Sequence, residues 1–128
     1  MNASGSFDVQ VIPQPQDENS PAQISRMLLD KKFHGDLEGV SKGQMLAGMT
    51  AVQGSAGGVA IEFVSGTLHG KRGSFLLQHN SWMQGGNYHM EINVVPDSGT
   101  DELKGITGKF QIILEDKKHF YKFDYELK

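Results

Sequence analysis

Cysteine is absent from the 128 residues. That excludes disulfides, thiolate metal ligands, thiol nucleophiles and cysteine lipidation. No apolar run approaches the ~20 residues of a membrane-spanning helix. The opening residues, Met1-Asn2-Ala3-Ser4-Gly5, lack the basic-then-apolar order of a secretory signal. A cytoplasmic protein without membrane contact is therefore expected. A basic surplus is missing too: 12 Lys and Arg stand against 15 Asp and Glu, for a net charge of -3. The pairs Lys31-Lys32, Lys71-Arg72 and Lys117-Lys118 are scattered among acids, so no nucleic-acid partner is expected. There is no Gly-x-Ser-x-Gly elbow. The stretch Gly66–Lys71 is one residue short of a phosphate loop, and Arg72 stands where Ser or Thr belongs. No cofactor is implied.

Glycine, by contrast, is abundant, with 16 of 128 residues against a usual ~7%. The glycines separate short apolar runs, as turns between strands do. Phe7, Val9 and Val11 alternate in a first strand ended by Pro13. Residues 13–23 hold three of the four prolines and read as a polar surface loop. Residues 24–34 read as a second strand, with Met27, Leu29 and Phe33 on one face; a short amphipathic helix without an obvious cap is the alternative. Residues 36–52, 59–69, 74–83 and 88–95 follow, then alternation about Phe110–Leu114 and Tyr121–Leu127. Turns are expected at 54–58, around Gly70–Gly73, at Gly85-Gly86 and at 116–118. Leu68-x-Gly70-x-x-Gly73-x-Phe75 is echoed by Leu103-x-Gly105-x-x-Gly108-x-Phe110, which suggests two similar turns bracketed by glycines. The expected architecture is all-β: one domain over residues 1–128, an eight-stranded antiparallel meander closed into a barrel. A sandwich is the alternative.

Three phrases carry a resemblance. They are Phe33-His34-Gly35-Asp36-Leu37-Glu38-Gly39, the run from Thr67 to His79, and the run from Val95 to Gly105. Together they resemble a small bacterial domain family of unknown function whose known folds are similar to the allene oxide cyclase barrel. Gly105-Ile106-Thr107-Gly108-Lys109-Phe110 also resembles the glycine-rich turn of allene oxide cyclases and dirigent proteins. The resemblance implies a fold and no activity. No motif here matches the cyclases' polar cavity residues, so none is carried over.

The candidate catalytic residues are His79 and Glu62. His79 shares a face with Phe75 and Leu77, which places it at or near a cavity mouth, as an acid–base group or as a hydrogen-bonded rim histidine. Glu62 lies between Ile61 and Phe63. The heavier apolar set Val59, Ile61 and Phe63 favours that face inward, leaving Glu62 solvated. The opposite parity would bring its carboxylate inside, where desolvation would raise its pKa. Gly39, Ser41 and Gly43 share one parity, and such small residues leave room for a bend, a close neighbour or a ligand. Tyr121, Phe123 and Tyr125 form an aromatic stripe, either core or the wall of an apolar site. Glu38, Ser41, Gln78, Tyr121, Phe123 and Tyr125 are thus the candidate ligand contacts. Trp82 reads as a barrel plug. His89 and Glu91 share a solvent-facing strand face, and no recognised zinc spacing is present, so no metal is expected. The expected function is binding of a small apolar ligand. The alternatives are an isomerase or cyclase using Glu62 or His79 for proton transfer, and a non-catalytic oligomeric module. A homo-oligomer is suggested by strands apolar on both faces, such as Val59-Ala60-Ile61.

Overall fold

A computed structural model describes residues Met1–Lys128. It contains β1 (Asn2–Pro13), β2 (Ile24–Gly35), β3 (Leu37–Met49), β4 (Ala56–Leu68), β5 (Lys71–Gln84), β6 (Asn87–Val94), a 3-10 turn η1 (Asp101–Leu103), β7 (Thr107–Glu115) and β8 (Lys118–Glu126). The eight strands close into a barrel in sequence order, and every ladder is antiparallel. Residues 14–23 form the loop between β1 and β2, and they are exposed or half-buried. No helix is long and apolar enough to cross a membrane.

Three of the hairpins turn on two residues that both have positive φ: His69-Gly70 (48° and 78°), Gly85-Gly86 (58° and 81°) and Asp116-Lys117 (51° and 65°). Such paired left-handed residues match the twist of the strands they join. The expected glycine bracket Gly70/Gly73 does not form, because the turn is His69-Gly70 alone. Gly73 sits inside β5, opposite Gly66, and a Cβ on it would come 2.3 Å from the Thr100 carbonyl oxygen and 3.1 Å from the Leu103 side chain. Its bareness lets the segment around η1 tuck against the barrel end. Gly57 and Gly58 likewise belong to β4, and Gly108 to β7.

That segment seals one end. Leu37, Leu68 and Leu103 are wholly buried, and Ile106 nearly so, in one cluster with Phe33, Phe75, Phe110, Tyr121, Phe123 and Tyr125. The Tyr121 hydroxyl accepts from the Leu37 backbone N–H at 2.9 Å and donates to the His34 carbonyl at 2.9 Å. β8 is thereby stitched to the β2–β3 turn. Both tyrosine hydroxyls have raised pKa values. For Tyr121 burial is the main cause, opposed by the Leu37 hydrogen bond and reinforced by Asp36 and Glu38. For Tyr125 the causes are burial and then Asp36.

The parity of β4 is the reverse of the expectation from apolar weight. Ala60, Glu62, Val64 and Leu68 point inward, while Val59, Ile61 and Phe63 are about half exposed (51%, 46% and 50%). The cause is cross-strand register. Ala60 pairs with His79, Glu62 with Leu77 and Val64 with Phe75, and directly opposed residues share a sheet face. Once Phe75 and Leu77 face the core, Glu62 must follow. The small residues of β3 are also explained by their neighbour strand, and they leave no hollow. A Cβ on Gly39 would lie 2.3 Å from the Ser65 carbonyl oxygen, and one on Gly43 would lie 2.7 Å from the Glu62 Cβ.

One ladder is nearly missing. β6 and β7 pair only through Ile92–Phe110 and Asn93–Lys109. Residues 87–91 of β6 and 111–115 of β7 have ladder partners on their other sides only. The wall is therefore slotted towards the end away from η1.

Candidate functional site

At the unsealed end lies a cavity of about 290 Å³, with ten apolar residues among its fourteen lining residues. Val9 and Val11 come from β1, Leu29 from β2, Met45 from β3, Met90 from β6 and Ile112 from β7. Lys31, His79, Ser81 and His119 are its polar members. A second apolar space of about 530 Å³ lines the β6–β7 slot. It shares Tyr88, Met90, Ile112 and His119 with the cavity, so the slot continues the cavity mouth.

Below the cavity, side chains of four strands meet at one carboxylate. Glu62 is fully buried, with Ser41 at 1%, Lys31 at 5% and His79 at 7% exposure. Glu62 Oε2 accepts from Lys31 Nζ at 2.8 Å and from His79 Nε2 at 2.6 Å. Its Oε1 accepts from Ser41 Oγ at 2.9 Å. Lys31 also lies 5.1 Å from the Phe7 ring centroid, a cation–π distance. Burial alone would raise the Glu62 pKa, as the sequence suggests for an inward carboxylate. The hydrogen bond from His79, the charges of Lys31 and His79 and the hydrogen bond from Lys31 together outweigh it, and the pKa falls from 4.5 to about 2. Glu62 is therefore an ionised acceptor with no proton to give at neutral pH.

This fixes the imidazole. A carboxylate offers only acceptors, so His79 Nε2 carries the hydrogen towards Glu62; this is inferred from the network. His79 Nδ1 has no protein hydrogen-bond partner, and no buried side-chain nitrogen or oxygen lacks one. Nδ1 is therefore open, on a side chain that lines the cavity.

The same shift sets an acid limit. Because the folded-state pKa lies below the ordinary value of 4.5, the contribution of Glu62 to stability is complete above that pH. It is lost as pH falls towards about 2, an effect of roughly 3 kcal/mol. Urea unfolding at a series of pH values should show this loss, and Glu62→Gln should flatten it. An unchanged acid slope in that variant would count against the ionised buried carboxylate.

Other candidates fall elsewhere. Glu38 is exposed near the sealed end and accepts from the Gly35 N–H at 2.8 Å. Gln78 is exposed on the outer face, opposite Ile61. Tyr121, Phe123 and Tyr125 are packed in the core cluster and do not line the cavity. The Tyr125 hydroxyl hydrogen-bonds His69 Nδ1, whose ring lies 3.6 Å from Asp36. Trp82 is 40% exposed, stacked on His89 with centroids 5.2 Å apart. It plugs nothing. His89 and Glu91 face solvent, and no cluster of three or more His, Cys, Asp or Glu is placed to hold a metal. Lys31 is the residue that sequence reasoning missed. Its signal was its parity with Leu29 and Phe33.

Comparison with known proteins adds a family without a described activity. A family model described as protein of unknown function (DUF3224) matches residues 3–125. A crystal structure of a protein with unknown function from the same family, from Shewanella oneidensis MR-1, superposes with a TM-score of 0.93. It is 44% identical, and the match covers 100% of this chain and 97% of that one. No curated protein matches.

Proposed function

We propose that this chain, which belongs to the DUF3224 family of unknown function, binds a small, largely apolar molecule that carries a hydrogen-bond acceptor at one end. The observation that supports this is the placement of Lys31. Its ammonium has three N–H donors and directs one at Glu62, while the side chain lines a mostly apolar cavity. The remaining donors call for an acceptor, and the apolar wall calls for a hydrocarbon body. At ~30 Å³ for each water-sized group, the cavity volume suits about ten heavy atoms. The β6–β7 slot supplies a way in.

Phenylacetate and phenethylamine separate the head-group preference from simple apolar binding, because they share a body and differ in the sign of the head. Phenylacetate should bind at least ~10-fold more tightly by NMR titration, a difference of about 1.4 kcal/mol. Met45→Trp, at the cavity wall, should weaken both. Equal binding of the two, or binding of neither, would overturn the proposal.

A further inference from the structure

We propose that the cavity is also a proton-transfer site for carbonyl compounds, in which His79 Nδ1 removes a proton from the carbon next to the carbonyl and Lys31 holds the oxygen. This deepens the binding reading and rests on it.

The two groups are coupled through one atom. Lys31 Nζ and His79 Nε2 both lie within hydrogen-bond distance of Glu62 Oε2, at 2.8 and 2.6 Å. The ammonium and the imidazole must therefore be neighbours. Glu62 turns the ring so that its protonated nitrogen faces the carboxylate and its free nitrogen does not. An orienting carboxylate, an imidazole with one open nitrogen and a nearby cation make up the acid–base constellation that enolisation needs. The carbonyl oxygen and the carbon next to the carbonyl are only two bonds apart, so one small molecule can meet both groups.

The step balances without a co-reactant. The C–H bond breaks and the proton passes to Nδ1. The electron pair left on carbon forms the enolate double bond, and the carbonyl π pair moves to oxygen. The resulting negative charge lies against the Lys31 ammonium, in an apolar space where such a contact is stronger than in water. The imidazolium formed at His79 lies against the Glu62 carboxylate, which stabilises it without accepting its proton. Return of the proton to the same carbon gives exchange, and its return to a conjugated carbon gives an isomer. The substrate class is thus a small apolar ketone or aldehyde with an acidic neighbouring C–H.

Phenylacetone, with about ten heavy atoms, fits the volume estimated above and has benzylic protons that can be followed by NMR in D2O. Their exchange should run at least ~100-fold faster with the protein than with free imidazole at equal concentration. His79→Gln keeps an N–H donor for Glu62 but removes the base. It should lose most of the acceleration while changing phenylacetone affinity by less than about 3-fold. The Lys31→Met/Glu62→Gln double variant, which leaves no buried charge unpaired, should also lose the acceleration. Binding without accelerated exchange overturns the proton-transfer role and leaves the binding reading intact. Exchange that survives His79→Gln overturns the assignment of the base. Failure of both phenylacetone and phenylacetate to bind overturns both readings.

Discussion

Lys31→Met is expected to lower the unfolding free energy by roughly 3–5 kcal/mol. The substitution keeps most of the side-chain volume inside β2 but strands the Glu62 carboxylate at zero exposure. An unpaired buried charge forfeits its hydration with nothing in return, or takes up a proton to escape it. The cation–π contact with Phe7, at 5.1 Å, is lost as well. Glu62→Gln should cost a comparable amount for the mirror reason, because it leaves the ammonium alone. The double variant Lys31→Met/Glu62→Gln should recover most of the loss. Its amide can still accept from His79 and hydrogen-bond Ser41, and replacing both ions of a buried pair is often close to neutral. A double-mutant cycle by urea unfolding therefore has a sharp signature: two large single losses and a small combined one. Additive losses would contradict a directly coupled pair.

Gly66→Val should be more damaging still. Gly66 pairs with Gly39 across β3 and β4. A Cβ on Gly66 would lie 2.1 Å from the Glu38 carbonyl oxygen and 2.6 Å from the Gly39 Cα. Both obstacles are backbone, so the two strands must separate. Valine has the better strand propensity, which makes any loss steric in origin. The loss should exceed the ~1–3 kcal/mol of ordinary overpacking and appear as failure to accumulate soluble folded protein. Gly57→Ala is the control. A Cβ there meets nothing within 4 Å, and its φ is not positive, so a gain of about 0.4–1 kcal/mol is expected. A folded Gly66→Val protein with an unchanged urea midpoint would overturn the close-approach explanation.

The alternation of β5 and β8 was legible in the sequence, because Phe75, Leu77 and His79, and then Tyr121, Phe123 and Tyr125, repeat at the strand period. Glu62 was not legible from its own strand. Apolar weight there favoured Val59, Ile61 and Phe63, and only the register imposed by β5 reverses it. Val59, Ile61 and Phe63 stand about half exposed on the outer face. Lys31 was readable by parity, yet a charge next to Lys32 looks like part of a solvated basic pair. The inward face of the aromatic stripe is legible by its period, but whether it is core or the wall of a site depends on which end is plugged. That is settled by the irregular segment around η1, where Leu103 and Ile106 are buried, and irregular backbone has no period to read. The nearly absent β6–β7 ladder likewise leaves no sequence signature.

Seven of the eight ladders join strands adjacent in sequence, and only the β1–β8 ladder links the two ends of the meander. That join pairs residues 2–7 with residues 119–124. Closing so long a loop in an otherwise unstructured chain would cost about 4 kcal/mol of chain entropy, since the cost grows only as the logarithm of loop length. Hairpins formed beforehand shorten the effective loop. The barrel can thus assemble from local pieces, with the β1–β8 pairing joining the two free edges of an open ribbon into a ring. Ala3 and Phe7, buried beside β8, lie at that seam, and the Phe7 ring sits 5.1 Å from the Lys31 ammonium, so joining the chain's two end strands and roofing the polar floor involve the same residue.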